Sequence, residues 1–527
     1  MANKLKNIAL MASVAMLAIG CQHKEEADLI IRNAKIYTVN NSFAVMQSAA
    51  VKNGKFVAIS NDANIMARYV SDSVLELKGK FVYPGFIDAH AHFVEYAISL
   101  SQIDLSDADS LNEVVRRLID YQHKNPGKWI VARNLDIMLA DSYQMAEKDI
   151  LSDLFADTPV FVWSEGYMSA IINKAFSDKT GINADSPDRI IRGTVAHAAS
   201  RCIPAPADSE MESLLQKAEQ DCFNVGITST TDFGARQSFI KLIDKMQAEG
   251  KLRIPVYAVL EPSAENIEAY IGKVPYYTEN LKVLSVGFDI DGCLPQQTAM
   301  MLEPYGTDGA NGTLWVTADS LMNICQQAYD HGFQVCVGCV GDSAARLAVN
   351  TYAAILPHKN NARWRLDNLQ MITHKDMRKL GHFNIMPSVL PMQYQRNSKF
   401  IKEMFNRKHV KESFAWKQLL DQNQGIVCGT DSPFGKLNPM LVYYSAIRQE
   451  KRRISNKQSQ EMTPTQALKA MTIWPAYSQF DEKSKGSLEV GKWADFIVTS
   501  ENLTTMYQPN IPDLHVDMTY FRGCRVK

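Results

Sequence analysis

A chain of 527 residues is too long for one small domain and has the length for a large barrel plus an accessory domain. Its hydrophobic fraction of 46% and charged fraction of 21% are ordinary for a folded soluble protein able to bury a sizeable core. The 56 basic residues nearly cancel the 57 acidic ones, so no nucleic-acid footprint and no acidic partner follow from the charge.

In chain order, Lys4 and Lys6 precede an uncharged apolar run, Ile8 to Ile19, which closes on Leu17-Ala-Ile-Gly-Cys21. That run is shorter than the roughly 20 residues a bilayer core requires, so 1–20 reads as a secretory signal and not as a spanning helix. The small residues before Cys21 resemble the lipobox of bacterial lipoproteins, which implies lipidation of Cys21. The expected chain is exported and anchored by lipid on the periplasmic or cell-surface side of a bacterial membrane, with no other membrane contact. Eight cysteines follow Cys21, too scattered for a disulfide scaffold. Cys336 and Cys339 are three apart in a strand-like run, a spacing that sends them to opposite faces and argues against a redox or zinc pair.

Residues 28–60 read as strands, with Asn53-Gly54 as a type I′ hairpin signal between Ala50-Val51 and Phe56-Val57-Ala58. Ala494 to Val498 and Met518 to Phe521 are short β runs at the far end. The two ends, 21–83 and 481–527, are expected to pair into a small β-sandwich-like domain beside a central domain of 84–480.

The centre repeats an amphipathic helix, a glycine at its C′ position and a short apolar strand. The glycines are Gly226, Gly250, Gly332, Gly381 and Gly425. Five such units argue for a parallel sheet covered by helices, and the expected architecture is a (β/α)8 TIM barrel of the α/β class. Chemistry in such a barrel sits at the C-terminal strand ends, where the sequence places Asp232, Asp289, Asp291, Asp342, Asn368 and Asp431.

Val82 to His92 reads as a strand entered through Pro84-Gly85, so His90 and His92, two apart, project from one face. Two neutral imidazoles on adjacent rungs can share one divalent ion.

Here the chain resembles the amidohydrolase superfamily, in particular its amidohydrolase-3 branch, over nearly everything after residue 28. The matching segments are Pro84-Gly-Phe-Ile-Asp-Ala-His-Ala-His92, Asp291-Gly292, Glu303-Pro-Tyr305, Gly341-Asp342, Gly429-Thr-Asp431-Ser-Pro433 and Asn438-Pro439, and a tail that includes Trp474-Pro-Ala476 and Gly486 to Asp495. The resemblance implies metal ligation by His90 and His92, water attack on an amide or related carbon, and Asp431 as both metal ligand and proton acceptor.

Against the family pattern, the fourth-strand lysine position is Gly287, the fifth-strand histidine position Gly338 and the sixth-strand histidine position Asn368. In the third of the chain before the repeat, which reads as helix-rich, Tyr167 stands where a histidine is common, and His197 where a glutamate is. An intact binuclear centre is therefore not expected. His90, His92 and Asp431 remain for one divalent ion, zinc, and Asp289, which shares the face of Gly287 by strand parity, is a substitute carboxylate ligand. The histidines at 123, 358, 374, 382, 409 and 515 read as surface residues. Two functions compete: a hydrolase acting on C–N bonds, other than peptide bonds, of a small molecule, and a catalytically degenerate lipoprotein that binds a ligand or partner.

Overall fold

A computed structural model describes residues 24–136, 149–184, 189–306, 309–405, 407–423, 425–449 and 460–527. The expected signal segment 1–20 and Cys21 lie outside the described residues. No described helix is long and apolar enough to cross a membrane. The chain divides into two compact units, one of 86–482 with 503–515, the other of residues up to 85 with 483–502 and 516–527.

In the smaller unit Ser48–Lys52 and Lys55–Ser60 pair antiparallel across Asn53 and Gly54, whose φ values of 50° and 73° are the two positive angles a type I′ turn needs. These strands join Leu29–Arg32 and Val74–Glu76 in one four-stranded sheet. A six-stranded sheet runs in the order Cys524–Arg525, Met518–Phe521, Phe496–Thr499, Phe81–Pro84, Lys35–Tyr37, Val45–Met46. Both chain ends therefore enter one sheet, with Ile497 opposite Tyr83. Ile31, Val51, Phe56, Val82 and Phe496 share the unit's apolar core.

The larger unit is built on eight parallel strands: β1 (Phe86–Ile87), β2 (Ile227–Ala235), β3 (Val256–Leu260), β4 (Leu281–Asp289), β5 (Gln334–Gly338), β6 (Arg365–Asp367), β7 (Met386–Val389) and β8 (Val427–Cys428). Each pairs with the next in sequence, giving a curled parallel sheet with helices between its strands. Gly226, Gly250 and Gly332 take the left-handed conformation that ends a helix ahead of its strand. Gly381 differs from the expected pattern. It lies inside the helix His374–His382, where a Cβ would overlap the Gln422 carbonyl, and Asn384 takes the positive φ instead.

Two further features depart from the sequence reading. The segment between β1 and β2, read as helix-rich, carries a five-stranded sheet of Ile103–Asp104, Ile130–Leu135, Val160–Ser164, Ser169–Ile172 and Ile190–Arg192. Residues 503–515, assigned by the sequence to the small domain, belong to the larger unit, where the Tyr443 hydroxyl donates to the Leu503 carbonyl at 2.7 Å.

Candidate metal centre

The site begins with the chain leaving β1. Asp88 accepts hydrogen bonds from Thr430 N–H at 3.0 Å and Thr430 Oγ1 at 2.5 Å, and burial pushes its carboxyl up to about 6 against those bonds. Asp431 N–H donates to the His90 carbonyl at 2.9 Å, and His92 N–H to the Ser432 carbonyl at 2.9 Å. Gly429 permits this approach, because a Cβ there would overlap the His90 backbone. Backbone bonds thus hold the segments after β1 and β8 side by side.

On that support the imidazoles have fixed roles. His90 Nδ1 lies 3.0 Å from the fully buried Asp367 carboxylate, and His92 Nδ1 lies 2.8 Å from the Phe233 carbonyl. Each partner only accepts, so each Nδ1 carries the proton and each Nε2 keeps its lone pair. Asp431 Oδ1 sits 3.8 Å from His90 Nε2 and 3.7 Å from His92 Nε2. Donors about 2.0–2.2 Å from one tetrahedral ion lie about 3.5 Å apart, so these three atoms fit around a single cation. Burial works against charge on His92, but Asp431, together with Asp289 and Asp232, outweighs it and raises that imidazole's pKa. Gln393 Nε2 reaches the other Asp431 oxygen at 3.3 Å.

Asp367 is the main residue the sequence reading passed over. Arg365 and Asp367 are both fully buried in β6, and the guanidinium donates to Asp367 at 2.7 and 2.8 Å and to the Ala89 carbonyl at 2.8 Å. Burial would raise the Asp367 pKa, yet Arg365 and His90 together hold it below the usual range. The signal lay in the alternation Arg365-Leu-Asp367, two opposite charges on one face of an inward strand. Asn368, the position expected to correspond to the ligand, turns aside with φ 51° and accepts from Gln370 at 3.0 Å.

The opposite side of the mouth is differently furnished. A Cβ on Gly287 would overlap Val259 and the Cys336 carbonyl and lie 3.0 Å from Phe233 Cε2. The Phe233 ring, 4.7 Å from that of His90, fills the space on this side. Among the described residues, His90, His92 and Asp431 are the donors that lie within 4.8 Å of one another, and Asp289 is not drawn into that group. Its side chain is exposed, yet the protein around it raises its carboxyl above the usual range, while His90 and His92 pull the other way.

The other strand-end acids are tied to backbone. Asp232 accepts from Val94 N–H, Asp291 from Met300, Val340 and Gly341 N–H, and Asp342 from Leu302 N–H. Burial pushes Asp232 up to about 6 and Asp291 to about 7 despite those bonds. From the inserted sheet, the Tyr167 ring stands 4.9 Å from Phe434, itself 4.6 Å from His92. His197 lies 5.4 Å from Trp163, and burial with nearby Arg201 and His92 pushes it down to about 4, so it is neutral. His409, expected at the surface, is 2% exposed, with Nε2 3.8 Å from Glu303. Cys336 and Cys339 are buried thiols whose pKa burial raises, the opposite of reactive thiolates.

Converging imidazoles and a carboxylate at one end of a curled parallel sheet give this chain the architecture of the metal-dependent hydrolases. The amidohydrolase family model matches residues 73–526, and the chain belongs to the amidohydrolase family. It is 24% identical over 520 residues to the protein LONG AFTER FAR-RED 3 of Arabidopsis thaliana, spanning 90% of this chain and 88% of that one. It is 22% identical over 541 residues to an N-substituted formamide deformylase of Arthrobacter pascens, spanning 94% and 97%. Among solved structures, an uncharacterized metal-dependent hydrolase from Pyrococcus horikoshii superposes with a TM-score of 0.78 at 21% identity, covering 91% of this chain and 99% of that one.

Proposed function

We propose that this protein hydrolyses a C–N bond, other than a peptide bond, in a small molecule, using one divalent ion held by His90, His92 and Asp431. The observation that carries this reading is the convergence of two lone-pair-bearing Nε2 atoms on Asp431 Oδ1, with both Nδ1 atoms anchored behind them. Zinc suits two imidazoles and a carboxylate, and when bound it would supply a Lewis acid to water and to the substrate's polar atom. Val259, the Cys336 carbonyl and Phe233 leave the β4 side without room for the side chain a second ion would need.

The residues themselves do the rest. Asp367 and the Phe233 carbonyl fix both tautomers, and Gln393 restrains the free oxygen of Asp431. Asp431 accepts the proton of the attacking water, and the leaving nitrogen takes one up as its bond to carbon breaks. In this reading the curled sheet is a (β/α)8 barrel, a closure supported by Ala89 N–H donating to the Cys428 carbonyl, and the two small sheets form a β-sandwich-like domain. The Leu17 to Cys21 segment supports export and a lipid anchor, and Cys21→Ala is expected to move the protein out of the membrane fraction.

N-substituted formamides, suggested by the bacterial deformylase, are the first substrates to test. Zinc-reconstituted protein is expected to turn over at least one of them and Asp431→Asn none; wild-type protein without zinc and without turnover would overturn the reading. A second reading, a ligand-binding protein without catalysis, is favoured by the bare Gly287 and Gly338 positions and the averted Asn368. It predicts ligand binding that survives Asp431→Asn.

A further inference from the structure

The Asp289 carboxylate has no hydrogen bond or ion pair with any described residue. Its neighbours at the strand ends all do: Asp88, Asp232, Asp291 and Asp342 hold backbone N–H groups, and Asp367 holds Arg365 and His90. Asp289 and Gly338 are paired across β4 and β5, so their side-chain directions lie on the same face. A Cβ built on Gly338 would overlap Asp289 Oδ1, which means the carboxylate rests over the Cα of Gly338 in the volume a side chain at 338 would take. A fifth-strand ligand and this placement of Asp289 exclude each other.

An exposed carboxylate at this strand end, outside the converged donors and with its face toward Gly338, is open to a cation brought by a ligand. We propose that Asp289, seated over Gly338, is a specificity-determining carboxylate that binds a cationic nitrogen of the substrate, such as a guanidinium or ammonium group. The proposal rests on the hydrolase reading for the word substrate, but the binding step does not require turnover. Anionic ligands are disfavoured there by the same charge.

The test compares benzylguanidinium with benzylurea, nearly isosteric probes that differ in charge. Calorimetric titrations use zinc-reconstituted full-length protein as wild type, Asp289→Asn and Gly338→Ala, each with its zinc content measured. Wild type is expected to prefer benzylguanidinium by about tenfold or more, the range of a charge-assisted hydrogen bond. Both variants are expected to lose that preference with zinc content unchanged, and Asp289→Asn, nearly isosteric, keeps the test valid should Gly338→Ala not fold. Equal binding of the probes by wild type, a preference that survives Asp289→Asn, or loss of zinc in Asp289→Asn would overturn the proposal. Wild-type protein that holds no zinc yet prefers benzylguanidinium sinks the metal reading alone and leaves Asp289 as the cation site.

Discussion

The two sides of the mouth treat the same problem in opposite ways. On the β1 and β8 side every functional atom has a dedicated support: Asp367 behind His90, the Phe233 carbonyl behind His92, and Asp88 on Thr430 beside Asp431. On the β4 and β5 side two strand positions lack side chains, a phenylalanine ring fills the gap, and one carboxylate stands without a partner. A supported half and a vacated half fit a site that keeps one ion and gives the rest of the mouth to the ligand.

The largest effect that would break this contrast is at Asp431. Asp431→Asn is expected to lower turnover by at least about 10³-fold, since it weakens a ligand and removes the proton acceptor. Kinetics on a processed N-substituted formamide would show it, and undiminished turnover would place the chemistry elsewhere. Next comes Asp367→Ala, which strands the fully buried Arg365 and frees His90. It should destabilise the fold by about 3–5 kcal/mol in urea titrations and weaken zinc binding about 10- to 100-fold. Stability lost without any change in zinc affinity would reduce Asp367 to a structural pair with Arg365.

A control lies in the smaller unit. Burial pushes the Asp495 carboxyl from 3.8 up to about 6, while the Arg522 N–H bond pulls it down. Below about pH 4 the group is protonated in folded and unfolded chains alike. Raising the pH through about 6 forces charge onto a buried acid, so stability falls, by up to about 3 kcal/mol. Asp495→Asn should flatten that decline in urea titrations between pH 4.5 and 7.5 and leave zinc content alone. The smallest effect is expected of Gly287→Ala, whose methyl collides with Val259 and the Cys336 carbonyl. It should cost about 1–3 kcal/mol without adding metal, measured by denaturation and metal analysis, and an unchanged midpoint would show that the β4 side has slack.

What the sequence made legible follows from the range of the interactions. The expected strand from Val82 to His92 is split into Phe81–Pro84 and Phe86–Ile87, so His90 and His92 lie beyond β1 and are brought together by the bonds to the segment after β8. The doublet and the motif around Asp431 were legible because both are local patterns. The Asn53-Gly54 turn was equally local. Asp367 escaped because its value depends on a strand five connections away reaching the back of an imidazole. Phe233 acts through a backbone carbonyl that any residue type offers. Parity put Asp289 on the right face, but its failure to join the donors depends on the space over Gly338, a neighbour 49 positions along the chain. His409 looked like a surface residue in the polar run Arg407–Glu412, yet it packs toward Glu303. The runs Ile130-Val-Ala132 and Val160-Phe-Val-Trp163 within two strands of the inserted sheet are apolar on both faces, and periodicity does not separate such short runs from buried helix.

The central claim, a single ion between β1 and β8, is tested most directly by elemental analysis of zinc-reconstituted, desalted protein. Close to one equivalent of zinc is expected in wild type and in Gly287→Ala, and none in His90→Ala/His92→Ala. Two equivalents in wild type, none at all, or one equivalent retained by the double variant would contradict it.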